Sequence, residues 1–326
     1  MGQPEIAVLG CGVAGAFAAY TLLKRGVNVV IVERDGRARG ATPNSAGVIT
    51  THLNTEEEVE LAVRSIKLYY ELGEKYGFER LGIYRTGFLT ILNEYDLEDY
   101  AEMLESFGVK VRIFSSEELS EMYPDIIIYY DELGVWSEVD LSCEPKVMIT
   151  ELRKILINMG AKFIQAEING VKWGENGIEY VTFDGERIKA DTYIVTLGPY
   201  TRSVTGIYYP GIILKCPAFK FELTLNGKVP AFEDDVFNSY WRPSGGFTIV
   251  GGGYTANLID NPEEAFGKPT KRHLKYTIKL LKKRFKDSVS PRLVDSWSGP
   301  CSLTEDLSPI AGSIAENAYI VEGLRG

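Results

Sequence analysis

Apolar and polar positions set the first elements of the chain. Ile6-Ala7-Val8-Leu9 reads as a buried strand running into Gly10-Cys11-Gly12-Val13-Ala14-Gly15. A helix follows from Ala14 to about Lys24, a break at Gly26, and a second apolar strand over 27–32 closed by Glu33. Residues 56–76 place Val59, Val63, Ile66, Tyr70 and their neighbours at helical spacing behind an acidic first turn. Short strands are predicted over 81–84 and 88–92, and a helix over 95–107. Ser115 begins another helix as N-cap, Glu118 completes its capping box, and Pro124 stops it. An amphipathic helix over 144–159 ends at Gly160, where glycine suits a C-cap. Strands are predicted over 162–166, 168–173, 178–183 and 192–197, the last stopped by Gly198-Pro199. Residues 211–255 read as β-rich, with 219–225 and 247–250 clearest. A basic helix over 271–285 carries lysines on a solvated face, and a strand over 318–321 leads into Gly323-Leu324-Arg325-Gly326. No repeat or low-complexity linker separates these elements. Two interleaved domains are therefore predicted, one from 1–50, 144–205 and 296–326, the other from 51–143 and 206–295.

Composition narrows the class. The 326 residues, 45% hydrophobic and 25% charged, suffice for two globular cores. A net charge of −10 argues against nucleic acid and anionic membrane surfaces as partners. Four scattered cysteines and two histidines give no metal site and suit a reducing compartment. The first strand starts too early to leave room for a signal peptide, and no apolar run reaches the ~20 residues of a membrane span. A cytoplasmic location is expected.

The strand–glycine–helix–strand unit has the mechanics of a dinucleotide site. Gly10 permits a tight turn, Gly12 lets a pyrophosphate approach the backbone, and Gly15 lets the helix lie close to the strand. The N–H groups of Val13 and Ala14 open the helix toward phosphate. Glu33, 18 residues beyond Gly15, is placed to accept from the ribose hydroxyls, with Arg34 beside it.

Glycines alone do not separate NAD from FAD. Far downstream, Trp297-Ser298-Gly299-Pro300-Cys301-Ser302-Leu303-Thr304-Glu305-Asp306-Leu307-Ser308-Pro309-Ile310-Ala311-Gly312 resembles the second FAD motif of the D-amino-acid-oxidase-like oxidoreductases. The resemblance extends to Ala41–Gly47, to Leu197-Gly198 and to Gly323–Gly326, in the order that family shows. It implies a Rossmann-like α/β FAD domain of the glutathione-reductase type, with an interleaved α+β substrate domain on a mixed sheet. Thr42, Ser45, Ala46 and Gly47 match the loop around phosphates and flavin. Gly198 matches the adenine side, and Asp306 the acid of the second motif. Gly323, Leu324, Arg325 and Gly326 match the turn reaching the flavin edge. Arg325 either stabilises the anionic reduced flavin or is a surface arginine.

Departures from the family bear on chemistry. Gly299-Pro300-Cys301-Ser302 replaces its G-x-R-P, so Cys301 cannot grip a carboxylate as that arginine would. Arg242, in Tyr240-Trp241-Arg242-Pro243, is the best remaining carboxylate anchor; the alternative is an arginine stacked on Tyr240 or Trp241. Ile249 falls near an oxygen-activating lysine of some relatives, which favours an acceptor other than O₂. Gly299 falls near a flavin-linking cysteine, so non-covalent FAD is expected. His52 either faces the flavin or substrate or is structural. Tyr240 either orients substrate or packs in the sheet. Cys11 is expected to be a small packed filler. Relatives continue past the terminal glycine turn into a helix, so either the chain is truncated at Gly326 or a partner completes the surface.

The resemblance implies oxidation of the C–N bond of an amino acid or secondary amine by hydride transfer to flavin N5. Two rivals stand beside it: a dehydrogenase of 2-hydroxy acids or glycerol 3-phosphate, and a non-catalytic FAD subunit of a hetero-oligomer. Substrate identity, electron acceptor and a homo- or hetero-oligomeric state are left open.

Overall fold

The computed structural model describes residues 6–34, 40–93 and 97–324. The first third of the chain runs β1 (Ile6–Leu9), α1 (Val13–Lys24), β2 (Val29–Glu33), β3 (Val48–Ile49), α2 (Glu56–Tyr76), β4 (Ile83–Tyr84), β5 (Phe88–Asn93) and α3 (Leu97–Ser106). The middle runs β6 (Val111–Phe114), α4 (Ser116–Met122), β7 (Glu132–Ser137), β8 (Leu141–Cys143), α5 (Pro145–Asn158), β9 (Lys162–Gln165), β10 (Ile168–Trp173), β11 (Ile178–Phe183), β12 (Glu186–Ile188), β13 (Thr192–Val195) and α6 (Thr201–Thr205). Then come β14 (Gly211–Glu222), β15 (Phe232–Asp234), β16 (Ser239–Pro243), β17 (Thr248–Gly253), β18 (Asn257–Ile259), α7 (Lys271–Arg284), β19 (Arg292–Thr304), β20 (Ile310–Ala315) and β21 (Ala318–Glu322).

One sheet has the order β20-β21-β13-β1-β2-β9, parallel except for β20. Its central strands are apolar on both faces, as a sheet covered on both sides requires. Val8, Val29 and Ile31 pack under α1 and α5 against Ala16, Leu152 and Leu156. Ala7, Leu9, Val30 and Val32 face the opposite way, onto Val181, Phe183 and Ile188 of the β10-β11-β12 sheet. Helices, parallel sheet and small antiparallel sheet form three layers.

A second, mixed sheet runs β18-β14-β17-β16-β15-β5-β7-β6, with β19 also paired to β14; only β15 and β5 are parallel neighbours. Leu89, Phe219, Phe221, Phe232, Trp241 and Ile249 face α7 and enclose the core with Leu280, Leu281 and Phe285. Near β7, β5 and α3, the opposite face is closed by Val59, Leu92, Leu97, Leu104 and Val135. Over β14 to β17 that second face turns toward the loop after β2.

Several expectations meet their elements closely. The helix predicted over 56–76 is α2, with Thr55 as N-cap accepting from the Glu58 N–H at 3.3 Å. The Ser115–Glu118 capping box is formed. The lysines of α7 leave its buried side to His273, Thr277, Leu280, Leu281 and Arg284. Arg284 is fully buried, its Nη1 donating to Glu132 Oε2 and its Nη2 to Asp234 Oδ1, each at 2.7 Å. Residues 292–304 form the long strand β19 against β14, so 296–304 belong to the mixed sheet.

Candidate functional site

The glycine turn works as the sequence mechanics require. Gly10 has φ +91°, and a Cβ on it would stand 2.6 Å from the Thr196 carbonyl oxygen. A Cβ on Gly15 would stand 2.2 Å from the Gly10 carbonyl oxygen, so α1 seats on the strand only because hydrogen is there. Gly12 is the N-cap of α1 and has no side-chain capping partner. The Val13 N–H donates to Thr42 Oγ1 at 2.9 Å, which brings the loop after β2 onto the helix terminus.

A cleft with an empty volume of about 1440 Å³, open solvent included, runs past this turn. It is lined by Glu33, Arg34, Gly198 and Tyr200, by Gly10, Gly12, Val13, Ala14 and Thr42, and by Ser45, Gly47, Ser302, Gly323 and Leu324. Residues from positions 10, 42, 198, 302 and 323 are thus brought to one cavity.

Glu33 accepts from the Cys11 N–H at 2.6 Å and lies 3.4 Å from Arg153 Nη2. Arg153, on α5, also donates to the Cys11 carbonyl from Nε and Nη2. It holds the turn and the acid together, and the sequence reading missed it. A single arginine inside an amphipathic helix gives no motif to find. Cys11 is fully buried and burial pushes its thiol up to about 12, as befits a packed filler. Arg34 lies over the Tyr200 ring at 4.5 Å and donates to Glu263 Oε1 at 2.9 Å.

A further acid of the cleft is Glu322, also missed. It is almost fully buried, and accepts from Thr201 Oγ1 at 2.7 Å, from Ser302 Oγ at 2.5 Å and from the Gly323 N–H at 3.0 Å. Asp306 stands outside the cleft lining, in the turn from β19 to β20, where it accepts from the Ser308 N–H at 3.0 Å. The tryptophan of that segment does reach the loop: Trp297 Nε1 donates to the Asn44 carbonyl at 2.9 Å. Arg325 and Gly326 lie outside the described residues.

Three chemistry candidates stand outside the cleft lining. Arg242 is buried and absent from the cleft lining. Its Nε donates to the Ala46 carbonyl, and its Nη1 to Glu144 Oε1 at 3.1 Å and the Pro243 carbonyl at 2.9 Å. Burial opposes ionisation of Glu144, but Arg242 and the Ser244 hydroxyl hold its carboxyl below the usual range. The guanidinium thus pins the flavin-type loop to the mixed sheet. A Cβ on Gly47 would meet its Nε at 3.1 Å, so the glycine makes room for that pin.

His52 sits in a buried hydrogen-bonded cluster. It is buried, with Nδ1 2.7 Å from Thr90 Oγ1 and Nε2 3.0 Å from Ser137 Oγ. Burial lowers it to about 3, so it is neutral at physiological pH. Asp140 beside it, pushed up to about 6 by burial, accepts from the Thr51 N–H at 2.6 Å. This is a cluster that fixes the chain leaving the loop.

Tyr240 stays on the loop-facing side of the mixed sheet. Its ring is 5.5 Å from that of Tyr254, and burial raises its hydroxyl. Ile249 faces the α7 core, whereas Lys220, opposite Val250 in register, occupies the other face.

A glycine-cradled helix start on a parallel sheet, an acid after β2, and a mixed sheet above the far end of the cleft define a two-part dinucleotide-dependent oxidoreductase. The profile of the FAD-dependent oxidoreductase family matches residues 5–326. The chain belongs to this family, and FAD is its cofactor. It is 24% identical to a D-amino acid dehydrogenase of Helicobacter pylori over 249 residues, 60% of each chain. It is 28% identical to the mitochondrial pyruvate dehydrogenase phosphatase regulatory subunit of Mus musculus over 152 residues, 43% of this chain and 17% of that one. A Bacillus subtilis oxidoreductase, YurR, is 25% identical over 67% of this chain. The chain spans 17 to 62% of the length of these curated relatives. In fold it matches L-proline dehydrogenase from P. horikoshii with TM-score 0.90 at 23% identity, over 99% of this chain and 88% of that one. Glycine oxidase from Geobacillus kaustophilus matches with TM-score 0.84 at 19% identity, over 99% and 90%.

The residues present fit FAD. A cradle that any Cβ would fill meets a bare helix N-terminus, and one cleft joins Glu33, Thr42, Ser302 and Gly323. Gly10, Gly12, Val13 and Thr42 would hold the pyrophosphate, Glu33 the ribose, and Ser45, Gly47 and Gly323 the flavin end. Among the described residues no cluster of metal-ligating side chains is found, and no helix is long and apolar enough to cross a membrane.

Proposed function

We propose that this chain oxidises the C–N bond of an amino acid or secondary amine, passing the electrons to an acceptor other than oxygen. Bound FAD supplies the two-electron acceptor for the carbon that bears nitrogen. The carrying observation is the loop-facing side of the mixed sheet, where Tyr240, Tyr254 and Glu233 meet above the end of the protein that holds the flavin-type loop. Relatives named for proline, glycine and D-amino acid substrates support the same class. Arg242 is a positioning residue here: it holds the Ala46 carbonyl and, through it, the loop. Ile249, an aliphatic core residue, supports the choice of acceptor. Gly299, pressed against Asn44, offers no thiol to the flavin, which supports non-covalent binding.

Anaerobic mixing of the holoprotein with proline, sarcosine, glycine and a panel of D-amino acids tests this. At least one amine should bleach the flavin absorbance. Bleaching by 2-hydroxy acids or glycerol 3-phosphate alone would replace the amine reading. A second reading, that of an FAD subunit within a hetero-oligomer, draws on the regulatory-subunit relative. It predicts bound flavin, no turnover by the isolated chain, and turnover when a partner chain is added.

A further inference from the structure

Glu233 lies on β15, whose neighbours in sequence face the other way: Phe232 enters the α7 core and Asp234 pairs with Arg284. Strand alternation therefore turns Glu233 to the loop-facing side. Register places it between Thr90 of β5 and Tyr240 of β16. Both neighbours lead to the flavin-type loop. Thr90 contacts His52, which follows β3, and Arg242, two positions beyond Tyr240, holds the Ala46 carbonyl. The Tyr254 hydroxyl donates to Glu233 Oε1, and Tyr254 itself is 60% exposed, so the group opens to solvent. No arginine or lysine is hydrogen-bonded to Glu233 among the described residues. A half-buried carboxylate, walled by two tyrosine rings and lacking a cation of its own, is a receptor for one.

We propose that Glu233 receives the ammonium group of the substrate, with Tyr254 orienting the carboxylate and Tyr240 forming the adjoining wall. This selects amines over hydroxy acids, and it rests on the amine reading of the function. A cation must find Glu233 ionised. Burial pushes Glu233 up to about 7; the Tyr254 hydroxyl lowers it, and Asp235 and Asp234 raise it further. The titratable groups around it are Tyr240 on the sheet, Tyr254 just beyond β17, Tyr100 from α3 and Asp235, with Asp234 acting from the opposite face of β15. Amine affinity should therefore rise with pH through about 7.

The test uses holoprotein and two matched pairs, proline with tetrahydrofuran-2-carboxylate and sarcosine with methoxyacetate. In each pair oxygen replaces the nitrogen. Binding is read from perturbation of the oxidised flavin spectrum, and amine saturation also from anaerobic bleaching. Glu233→Gln should weaken the amine by about 10- to 100-fold, remove the pH dependence near 7, and leave the oxygen analogue within about twofold. Tyr254→Phe keeps the carboxylate and removes the bond that lowers its pKa, so the rise in affinity should move to higher pH. Equal weakening of amine and analogue in Glu233→Gln, or no weakening of either, overturns the proposal. An unmoved pH dependence in Tyr254→Phe does the same. If no amine reduces the flavin, the reaction class fails by itself. The spectral titration still judges Glu233, because an amine preference that survives Glu233→Gln, or no preference in the wild type, overturns it.

Discussion

The glycine cradle and the loop-facing side of the mixed sheet bind by different means. The cradle offers backbone: an N-cap glycine, the Val13 N–H, and two glycines whose hydrogens are pressed against the Gly10 and Thr196 carbonyls. The sheet face offers side chains on β14 to β17, including Glu233, Tyr240 and Arg242, all carried by strands whose other face is a packed core. A change at Gly10 or Gly15 acts through volume and is felt by the parallel sheet. A change on the sheet face leaves the core intact and acts on chemistry. In the proposed function, the difference separates where the cofactor is held from where the substrate is chosen.

The largest effect should come from the cradle. Gly15→Ala forces a methyl group to within 2.2 Å of the Gly10 carbonyl oxygen, which requires α1 to lift from β1. A loss of about 3 kcal/mol in urea unfolding, together with loss of bound flavin, is expected. Gly12→Ala meets only Thr42 Oγ1 at 3.2 Å, so that variant should keep its stability and lose FAD affinity. Equal stability loss in both would break the distinction.

Arg242 joins the two regions, and Arg242→Gln should give an intermediate effect. Losing charged donors to Ala46 and Glu144 should weaken FAD by about 2 kcal/mol, roughly 30-fold, in a flavin-release titration. With saturating FAD the KM should stay near wild type. A raised KM with unchanged FAD affinity would instead make Arg242 the carboxylate anchor that its sequence context suggests.

His52→Gln should give the smallest effect, about 1–2 kcal/mol of stability, with no change in the pH profile of turnover. The folded-state value of about 3 lies below the ordinary 6.5. The unfolded chain therefore binds the proton first, and the His52 contribution is complete above 6.5 and declines as pH falls toward 3. Asp140, raised to about 6, works in the opposite sense: its contribution fades as pH rises through 6. The difference between wild type and His52→Gln in urea midpoint should thus shrink below pH 6.5.

Local features were readable in the sequence. Gly10, Gly12, Gly15 and Glu33 lie within one supersecondary unit, so spacing alone states their mechanics. The Ser115–Glu118 box and the helix from Glu56 to Tyr76 are likewise written in adjacent residues. What escaped depends on register between distant strands. Glu233 faces the loop only because β15 joins β5 and β16, and Arg284 turns inward only because Asp234 and Glu132 converge there. Asp306 shows the converse. A motif match singles it out, and in the structure it accepts from the Ser308 N–H in its own turn, while Glu322 takes the buried position nearby.

Strand β21 sits between β20 and β13, and β13 in turn lies beside β1. Glu322 at its end ties together Thr201, Ser302 and the Gly323 N–H. During synthesis, β1 and its glycine turn emerge first, while the flavin end of the cleft still lacks its wall and β13 still has an open edge. A ribosome-bound chain lacking residues 310–322 thus has its glycine cradle but not the wall that Glu322 and Gly323 supply, and full cofactor capture waits for β21 to dock.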